Sequence, residues 1–445
     1  MKVFLSQPLA AYVLQAPCMP DLGLGHIASA LSGRHDARVW DWNRREGEGA
    51  FTAMLRDFSP DVCGLKVFTK DVAAARKTIA LIRRILPETV VILGGPHPSC
   101  SRPDELMSQF PECDYAFRGE VEHVLSDFLD ALPDGARSGA PGLIWREGGG
   151  VRCNEPTFIK DLDALPDPAW ALIDPRAYAP AGPGRATGWR AAAPIVTTRG
   201  CPGRCTFCSA YRVNGRIIRR RSPGRVVDEM ERLAKEYAVT LFHVMDNCFT
   251  SDARHLEAFC QEIMRRGLKI EWDCNSFERL DNLDAAHLAL MRSAGCVRLH
   301  MGVESAAAET RRMINKKADF LDYERVMREA RRAGMGATGW FILGFPGESR
   351  AAMRETVRRA YALPADQLTF TPCFPLPGSE VYAQWAGHHQ LEQVDWASYD
   401  VARSPYPVSE LPSRELLWLT RRARLGLKVR RRSRALGALW ARWVV

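Results

Sequence analysis

The chain of 445 residues predicts an α/β protein built in two sheet-bearing parts. A doubly wound open sheet is expected over residues 1–140 and a partial (β/α)6 barrel over residues 191–385. A linker with a small hairpin (141–190) joins them, and a helical, basic extension (386–445) follows. Three observations carry this prediction. Short apolar runs alternate with amphipathic stretches of helical spacing in both parts. The run Thr89–Leu93 is near-continuously apolar, as a parallel strand covered on both faces is. Polar and glycine-rich residues cluster just after the runs, where both architectures hold their ligands.

Composition sets the outer bounds. Hydrophobic residues make up 46% and charged residues 25%, the balance of a globular protein with large cores. No run of about 18 apolar residues exists, so no membrane-spanning helix is expected. The N-terminus has too short an apolar stretch for a signal peptide and reads as a first strand, which predicts a cytoplasmic protein. Thirteen cysteines are odd in number and scattered, against a disulfide framework. Only Cys201, Cys205 and Cys208 form a tight cluster; the other ten read as reduced, small apolar residues. The net charge of +9 belongs to the tail: residues 411–445 carry ten Lys/Arg against Glu415 alone. The remainder is balanced, so charge gives no reason to expect nucleic-acid binding by the main body.

The elements follow in order. Lys2–Ser6 reads as a strand, Asp21–Leu31 contains a helix, and Ala37–Trp42 is a second strand. Pro60–Phe68 holds a third, followed by a strong helix from Asp71 to Leu86. Thr89–Leu93 is a fourth strand that ends in Gly94-Gly95-Pro96-His97-Pro98. Asp114–Glu120 adds a fifth strand, and Glu122–Ala131 a final helix. In the linker, Gly142–Arg146 and Val151–Asn154 flank Glu147-Gly148-Gly149-Gly150, a loop suited to positive φ. The barrel opens near Ala192. Its later strands are Thr240–Met245, Ile270–Asn275, Val297–Val303, Thr338–Leu343 and Gln367–Pro372. Its helices are Ser222–Tyr237, Asp252–Arg266, Asp284–Ala294, Asp322–Ala333 and Arg350–Ala362. Leucines and tryptophans interleave with arginines in the tail, which reads as an amphipathic helix packed on the barrel with a solvated Arg face. The same pattern suits peripheral contact with an anionic membrane.

The stretch Thr197-Thr198-Arg199-Gly200-Cys201-Pro202-Gly203-Arg204-Cys205-Thr206-Phe207-Cys208 sets three thiols in a C-x3-C-x2-C spacing on a loop poor in side chains. Three thiolates fit a four-iron cluster with one iron left open, because such clusters normally take four protein ligands. Zinc loops show paired knuckles instead, and no second pair lies nearby. This loop resembles that of the radical S-adenosylmethionine (SAM) superfamily, in which the amino and carboxylate groups of SAM chelate the open iron. Pro-Asp-x-x-Gly before the third strand, Gly-Gly-Pro-His-Pro after the fourth and Arg-Gly-Glu after the fifth resemble the cobalamin-binding domain that precedes the SAM domain in one branch. Asp161–Trp170 and Thr371–Ser379 resemble that branch's domain connector and barrel ending.

The resemblance implies a Rossmann-like cobalamin-binding domain, a TIM-type radical SAM barrel, and three cofactors: a [4Fe-4S] cluster, SAM and cobalamin. Cys201, Cys205 and Cys208 are the implied cluster ligands. Phe207, Asp246, Asn247, Asn275, Glu304, Gly344 and Pro346 are candidates for contact with SAM. Lys66, Thr69, Gly94, Gly95, His97, Gly119 and Glu120 are candidates for cobalamin, and Tyr211, beside the cluster loop, is a candidate for substrate or proton handling. Two departures stand out. Asp21–His26 lacks the Asp-x-His-x-x-Gly motif that supplies a cobalt ligand, so cobalt without a histidine lower ligand is expected and His26 reads as a surface or loop residue. Lys66-Val67-Phe68-Thr69 ends the third strand where a small hydroxyl residue is usual. The implied function is methylation of an unactivated carbon of a small-molecule or short-peptide natural product, with an external electron donor such as flavodoxin or ferredoxin and a monomeric enzyme. The alternatives are a non-methylating cyclisation, ring contraction or oxidation, a tRNA methylthiotransferase using Cys18, Cys63 and Cys100, and a non-enzymatic cobalamin sensor.

Overall fold

The computed structural model describes residues 1–9, 19–44, 46–135, 139–178, 191–274, 280, 283–387, 394–396, 399, 406 and 408–432. Its first sheet contains the five expected parallel strands: β1 (Lys2–Ser6), β2 (Asp36–Trp40), β3 (Val62–Lys66), β4 (Val90–Gly94) and β5 (Tyr115–Phe117). Their order is β2-β1-β3-β4-β5, a doubly wound arrangement whose switch point lies between β1 and β3. The expected hairpin forms as β6 (Leu143–Glu147) and β7 (Gly150–Cys153). It joins the sheet rather than standing apart, because β6 pairs antiparallel with β5 from Tyr115↔Trp145 to Phe117↔Leu143. A three-residue strand would otherwise leave a bare edge.

Helices cover this sheet. α1 (Leu22–Leu31) starts where the Asp21 side chain accepts the amide of Leu24, an N-cap that satisfies one orphan donor. α2 (Glu48–Phe58) has no counterpart among the expected elements, although Phe51, Leu55 and Phe58 recur on one face and are buried. α3 (Val72–Ile85) is the strong helix after β3. The Gly-Gly-Pro-His-Pro run turns directly into a short helix, α4 (Pro96–Cys100), with α5 (Pro103–Gln109) and α6 (Leu125–Ala131) after it. His26 departs from expectation: it lies inside α1 and is buried, because the chain enters the helix at Leu22 rather than looping past it.

The second sheet has six strands, β8 (Ala191–Ile195), β9 (Val239–Val244), β10 (Glu271–Cys274), β11 (Cys296–Glu304), β12 (Gly336–Leu343) and β13 (Gln367–Pro372), in chain order from one edge to the other. β10 to β13 pair parallel, as successive β/α repeats require. The short α7 (Ala210–Asn214) follows the cysteine loop. The alternating helices are α8 (Pro223–Tyr237), α9 (Ala253–Arg265), α10 (Ala285–Ser293), α11 (Ala308–Met313), α12 (Phe320–Arg332) and α13 (Arg350–Ala362). α14 (Glu380–Ala386) and the tail helix α15 (Ser413–Arg432) complete the described chain. The contacts divide the chain into two compact units. One comprises Met1–Ile195 with Ser209–Phe242, the other Val196–Cys208 with His243–Val445.

The tail is helical from Ser413 to Arg432 and packs on β13 as far as Arg424. Leu416, Leu419, Thr420 and Ala423 are buried. The Tyr361 hydroxyl donates to the carbonyl of Ala423 at 2.6 Å, and Arg424 Nε donates to the carbonyl of Phe370, on β13, at 2.7 Å. Trp418 remains half-exposed beneath the Arg422 guanidinium, 4.3 Å from its ring.

Candidate active site

In the second unit the chain from Val196 to Cys208 forms a strap with little regular structure. Cys201, Cys205 and Cys208 are in no disulfide, and all three are partly exposed. Phe207, set between two of them, points the other way. Its ring lies 5.4 Å from that of Phe345 and packs on a buried cluster of Ile314, Phe345, Cys373 and Val381. Backbone bonds hold the strap as well: Thr206 N donates to the Ile314 carbonyl at 3.2 Å, and Val381 N to the Thr206 carbonyl at 3.1 Å. The strap therefore packs a phenyl ring on this cluster while its three cysteines stay partly exposed. Gly203 keeps it slim, since a Cβ there would lie 3.2 Å from Cys201 Sγ.

Asp246, after β9, is 4% exposed and faces the strap. Its carboxylate accepts the Thr197 amide at 2.7 Å, the Thr197 hydroxyl at 2.5 Å and the Thr198 hydroxyl at 2.9 Å. Burial pushes its acid up to about 6 despite these bonds. Asn247 follows, half-buried in a bend. Asn275 lies outside the described residues. Cys373, whose reading was a buried thiol, is buried in the cluster named above.

Glu304 ends β11 at a point where the register with β12 shifts. Its φ is +65°, a left-handed conformation that costs a non-glycine residue roughly 1–2 kcal/mol. Its carboxylate lies 3.5 Å from Lys316 Nζ, and both side chains are nearly buried. Burial disfavours the Lys316 ammonium, but Tyr323, Glu304 and Cys205 outweigh it and hold the amine protonated beyond its ordinary range. Burial raises the Cys205 thiol, with Glu304 and Cys201 adding to it, while Lys316 pulls it toward the thiolate. After β12, Gly344 takes φ +83° and donates its amide to Glu348 Oε2 at 2.7 Å; Phe345 N and the Thr310 hydroxyl bind the same carboxyl at 3.2 Å each. Glu348 thus ties the loop that contains Pro346, and burial lifts its acid to about 7.

Sequence reasoning missed Lys316 and a polar row across four strands. His243 Nδ1 lies 2.8 Å from Asp273 Oδ2, and His300 Nε2 lies 3.8 Å from the same oxygen. His300 pairs in register with Thr338. A Cβ at Gly339 would meet Met327 of α12, so Gly339 faces the helices, and its neighbours Thr338 and Trp340 face the barrel interior with His300. Asp273 is held down to about 2: its burial works against ionisation, but His243 and His300 outweigh it. Met245 and Trp340 keep 43% and 37% of their surface exposed. Alternation of apolar and polar residues within the strands was the signal available for this row.

The first unit carries its own candidates. Lys66, at the end of β3, bonds both oxygens of Asp21 at 2.7 and 2.9 Å. Thr69 Oγ1 lies 3.2 Å from His97 Nδ1, and His97 Nε2 lies 2.8 Å from Gln109 Oε1. His97 is fully buried, and burial lowers it to about 4, so it is neutral. Gly94 has open space beside it, whereas at Gly95, φ +92°, a Cβ would strike Lys66 and the backbone of Val67. Gly119, φ +74°, accepts no side chain either, being 3.0 Å from Pro156 by the same measure. Glu120 pairs with Arg219 through two contacts of 2.6 and 2.7 Å and accepts the Ile159 amide at 2.8 Å. Tyr211 lies in α7 with the Arg216 guanidinium 3.7 Å above its ring.

The donor set suits a cluster in its chemistry, since three half-exposed thiols lie in C-x3-C-x2-C spacing on one loop that Phe207 packs against the protein. The open space beside Gly94, at the C-terminal end of β4, fits close approach of a large ligand to the backbone. Comparison with known proteins agrees. Residues 195–360 match the radical SAM superfamily and residues 15–129 match the B12 binding domain. A B12-binding domain thus precedes a radical SAM domain in this chain, which is a radical SAM enzyme. An uncharacterized methyltransferase of Pyrococcus horikoshii is 28% identical over 415 residues, covering 92% of this chain and 88% of the relative. An anaerobic magnesium-protoporphyrin IX monomethyl ester cyclase of Cereibacter sphaeroides is 28% identical over 371 residues, 82% of this chain but 59% of the cyclase. The structure of the radical SAM methyltransferase TsrM of Kitasatospora setae, with cobalamin and a [4Fe-4S] cluster bound, superposes with a TM-score of 0.68 at 22% identity over 87% of this chain and 75% of that one.

Proposed function

We propose that this enzyme transfers a methyl group to an unactivated carbon of a small-molecule substrate. The observation that carries the reading is the strap of three half-exposed cysteines held down by Phe207 packing on the Ile314–Phe345 cluster, in a chain that also has Gly94 with open space beside it at the end of β4. When bound, the cluster and SAM supply a carbon-centred radical and cobalamin supplies the transferable methyl group. The protein's own part is placement. Cys201, Cys205 and Cys208 hold the cluster, and Asp246 fixes the strap through Thr197 and Thr198. Glu304, in its strained conformation, receives the SAM ammonium, with Lys316 neutralising it in the free enzyme. The Gly344–Glu348 loop borders the adenine. Gly94 lets cobalamin approach the backbone, and Gly95 and Gly119 supply the positive-φ turns beside it. The inward row from His243 to Thr338, with Met245 and Trp340 beside it, offers a polar floor and apolar walls to a small substrate. An external one-electron donor such as flavodoxin or ferredoxin completes the reaction.

The similarity to the cyclase favours a second reading in which the same cofactors close a ring without methylation. Turnover separates the two: S-adenosylhomocysteine formed together with 5′-deoxyadenosine supports methyl transfer, and 5′-deoxyadenosine alone supports the cyclase-like reaction. A second cluster in the first unit finds no support among the described residues, because Cys63 is fully buried within β3 and its thiol is pushed up to about 12. The deciding experiment is anaerobic reconstitution with iron, sulfide and hydroxocobalamin. Four irons and one cobalt per chain support the proposal; eight irons and no corrinoid overturn it.

A further inference from the structure

Cys248 is a fourth thiol at the strap. It follows β9 two residues after Asp246, is 6% exposed, and its Sγ donates to Cys201 Sγ at 3.4 Å. Its position is set by neighbours other than the cluster cysteines. The Ser251 hydroxyl donates to the Cys248 carbonyl at 2.7 Å. Phe249, the next residue, is fully buried against Phe259 and Trp272, with ring centroids 5.6 and 5.8 Å away. Asp246 binds Thr197 and Thr198, a few residues before Cys201. One carboxylate therefore anchors both segments that carry the two sulfurs.

We propose that Cys248 tunes the iron–sulfur cluster by donating an S–H···S hydrogen bond to the ligand Cys201, without itself binding iron. A donor to a ligand sulfur stabilises the more negatively charged, reduced cluster, and so raises its reduction potential. No bond is made or broken; the thiol proton stays on Cys248. This inference rests on the cluster reading of the strap.

The test is an EPR-monitored redox titration of reconstituted holoenzyme without SAM, comparing wild type with Cys248→Ala, Cys248→Val and Cys248→Ser. Iron content and circular dichroism are measured on each sample. The alanine and valine variants remove the donor by two routes, so one that loads poorly leaves the other to read. At a fixed potential, the ratio of reduced to oxidised cluster falls roughly threefold or more in these variants, and serine restores part of it. An unchanged ratio in a variant holding four irons overturns the inference. Loss of iron in all three variants also overturns it, because it assigns Cys248 as a ligand. A wild-type protein that takes up no iron instead fails the cluster reading itself.

Discussion

At the scale of single residues, the site stores cost where the proposed chemistry needs it. Glu304 is buried and left-handed, two penalties that its own β-strand does not require, and such outliers gather at functional positions. Its nearest cation is Lys316, which leaves the pair neutral until another ammonium arrives. Glu348 shows the same economy of placement with a measurable pH signature. Burial lifts its acid to about 7, against the downward pull of the Gly344 and Phe345 amides and the Thr310 hydroxyl. In the window between the ordinary carboxylate range and about 7, the native state holds a proton that the unfolded chain has released, so this contribution to stability shrinks as pH rises. Glu348→Gln removes it. Relative to wild type, the variant gains on the order of 3 kcal/mol at most between pH about 4.5 and about 7, read by chemical denaturation at each pH. The buried Glu120–Arg219 pair, 3% and 9% exposed, offers a second test. Glu120→Ala leaves an uncompensated guanidinium and costs about 3–5 kcal/mol, while Glu120→Leu with Arg219→Met recovers much of the loss; a double-mutant cycle of unfolding free energies checks both.

At the scale of elements, the tail helix α15 reaches the loop that borders the proposed adenine site. Gly344 lies against Leu416: a Cβ added at Gly344 would sit 2.7 Å from both Leu416 methyls. Arg350, at the start of α13, pairs with Glu415 beside it. Leu416→Ala therefore costs about 2–5 kcal/mol as a buried large-to-small change and raises the KM for SAM several-fold by loosening the Gly344–Glu348 loop. Arg421→Gln, on the exposed face, leaves both Tm and KM unchanged. The alternation of strands and helices was legible in the sequence because period and apolar runs are local properties. α2 was not assigned, although Phe51, Leu55 and Phe58 bear the helical spacing. The hairpin was assigned, but its place beside β5 was not, since edge pairing depends on which strand needs a neighbour.

At the scale of the whole molecule, each unit holds its own set of candidate cofactor residues. The triple variant Cys201→Ala/Cys205→Ala/Cys208→Ala accordingly loses iron and keeps cobalt after reconstitution. A variant Gly95→Val, which puts a branched side chain where φ is +92° and no Cβ fits, loses cobalt and keeps iron. Metal quantification on desalted protein checks both, and loss of the two metals together in either variant contradicts separate sites.

By itself the sequence determined the class of this protein. The C-x3-C-x2-C loop, the glycines after a buried strand and the order of strands and helices are all written within short windows, where local geometry and ligand chemistry leave few readings. Only the tertiary structure decided what surrounds those motifs. Asp246 binds Thr197 across 49 positions, Glu304 meets Lys316, and Cys248 reaches Cys201 across 47. The row from His243 to Thr338 takes one residue from each of four strands. Such contacts arise when strands far apart in the chain pair in a particular register, and no local pattern of residues specifies which side chains that register brings together.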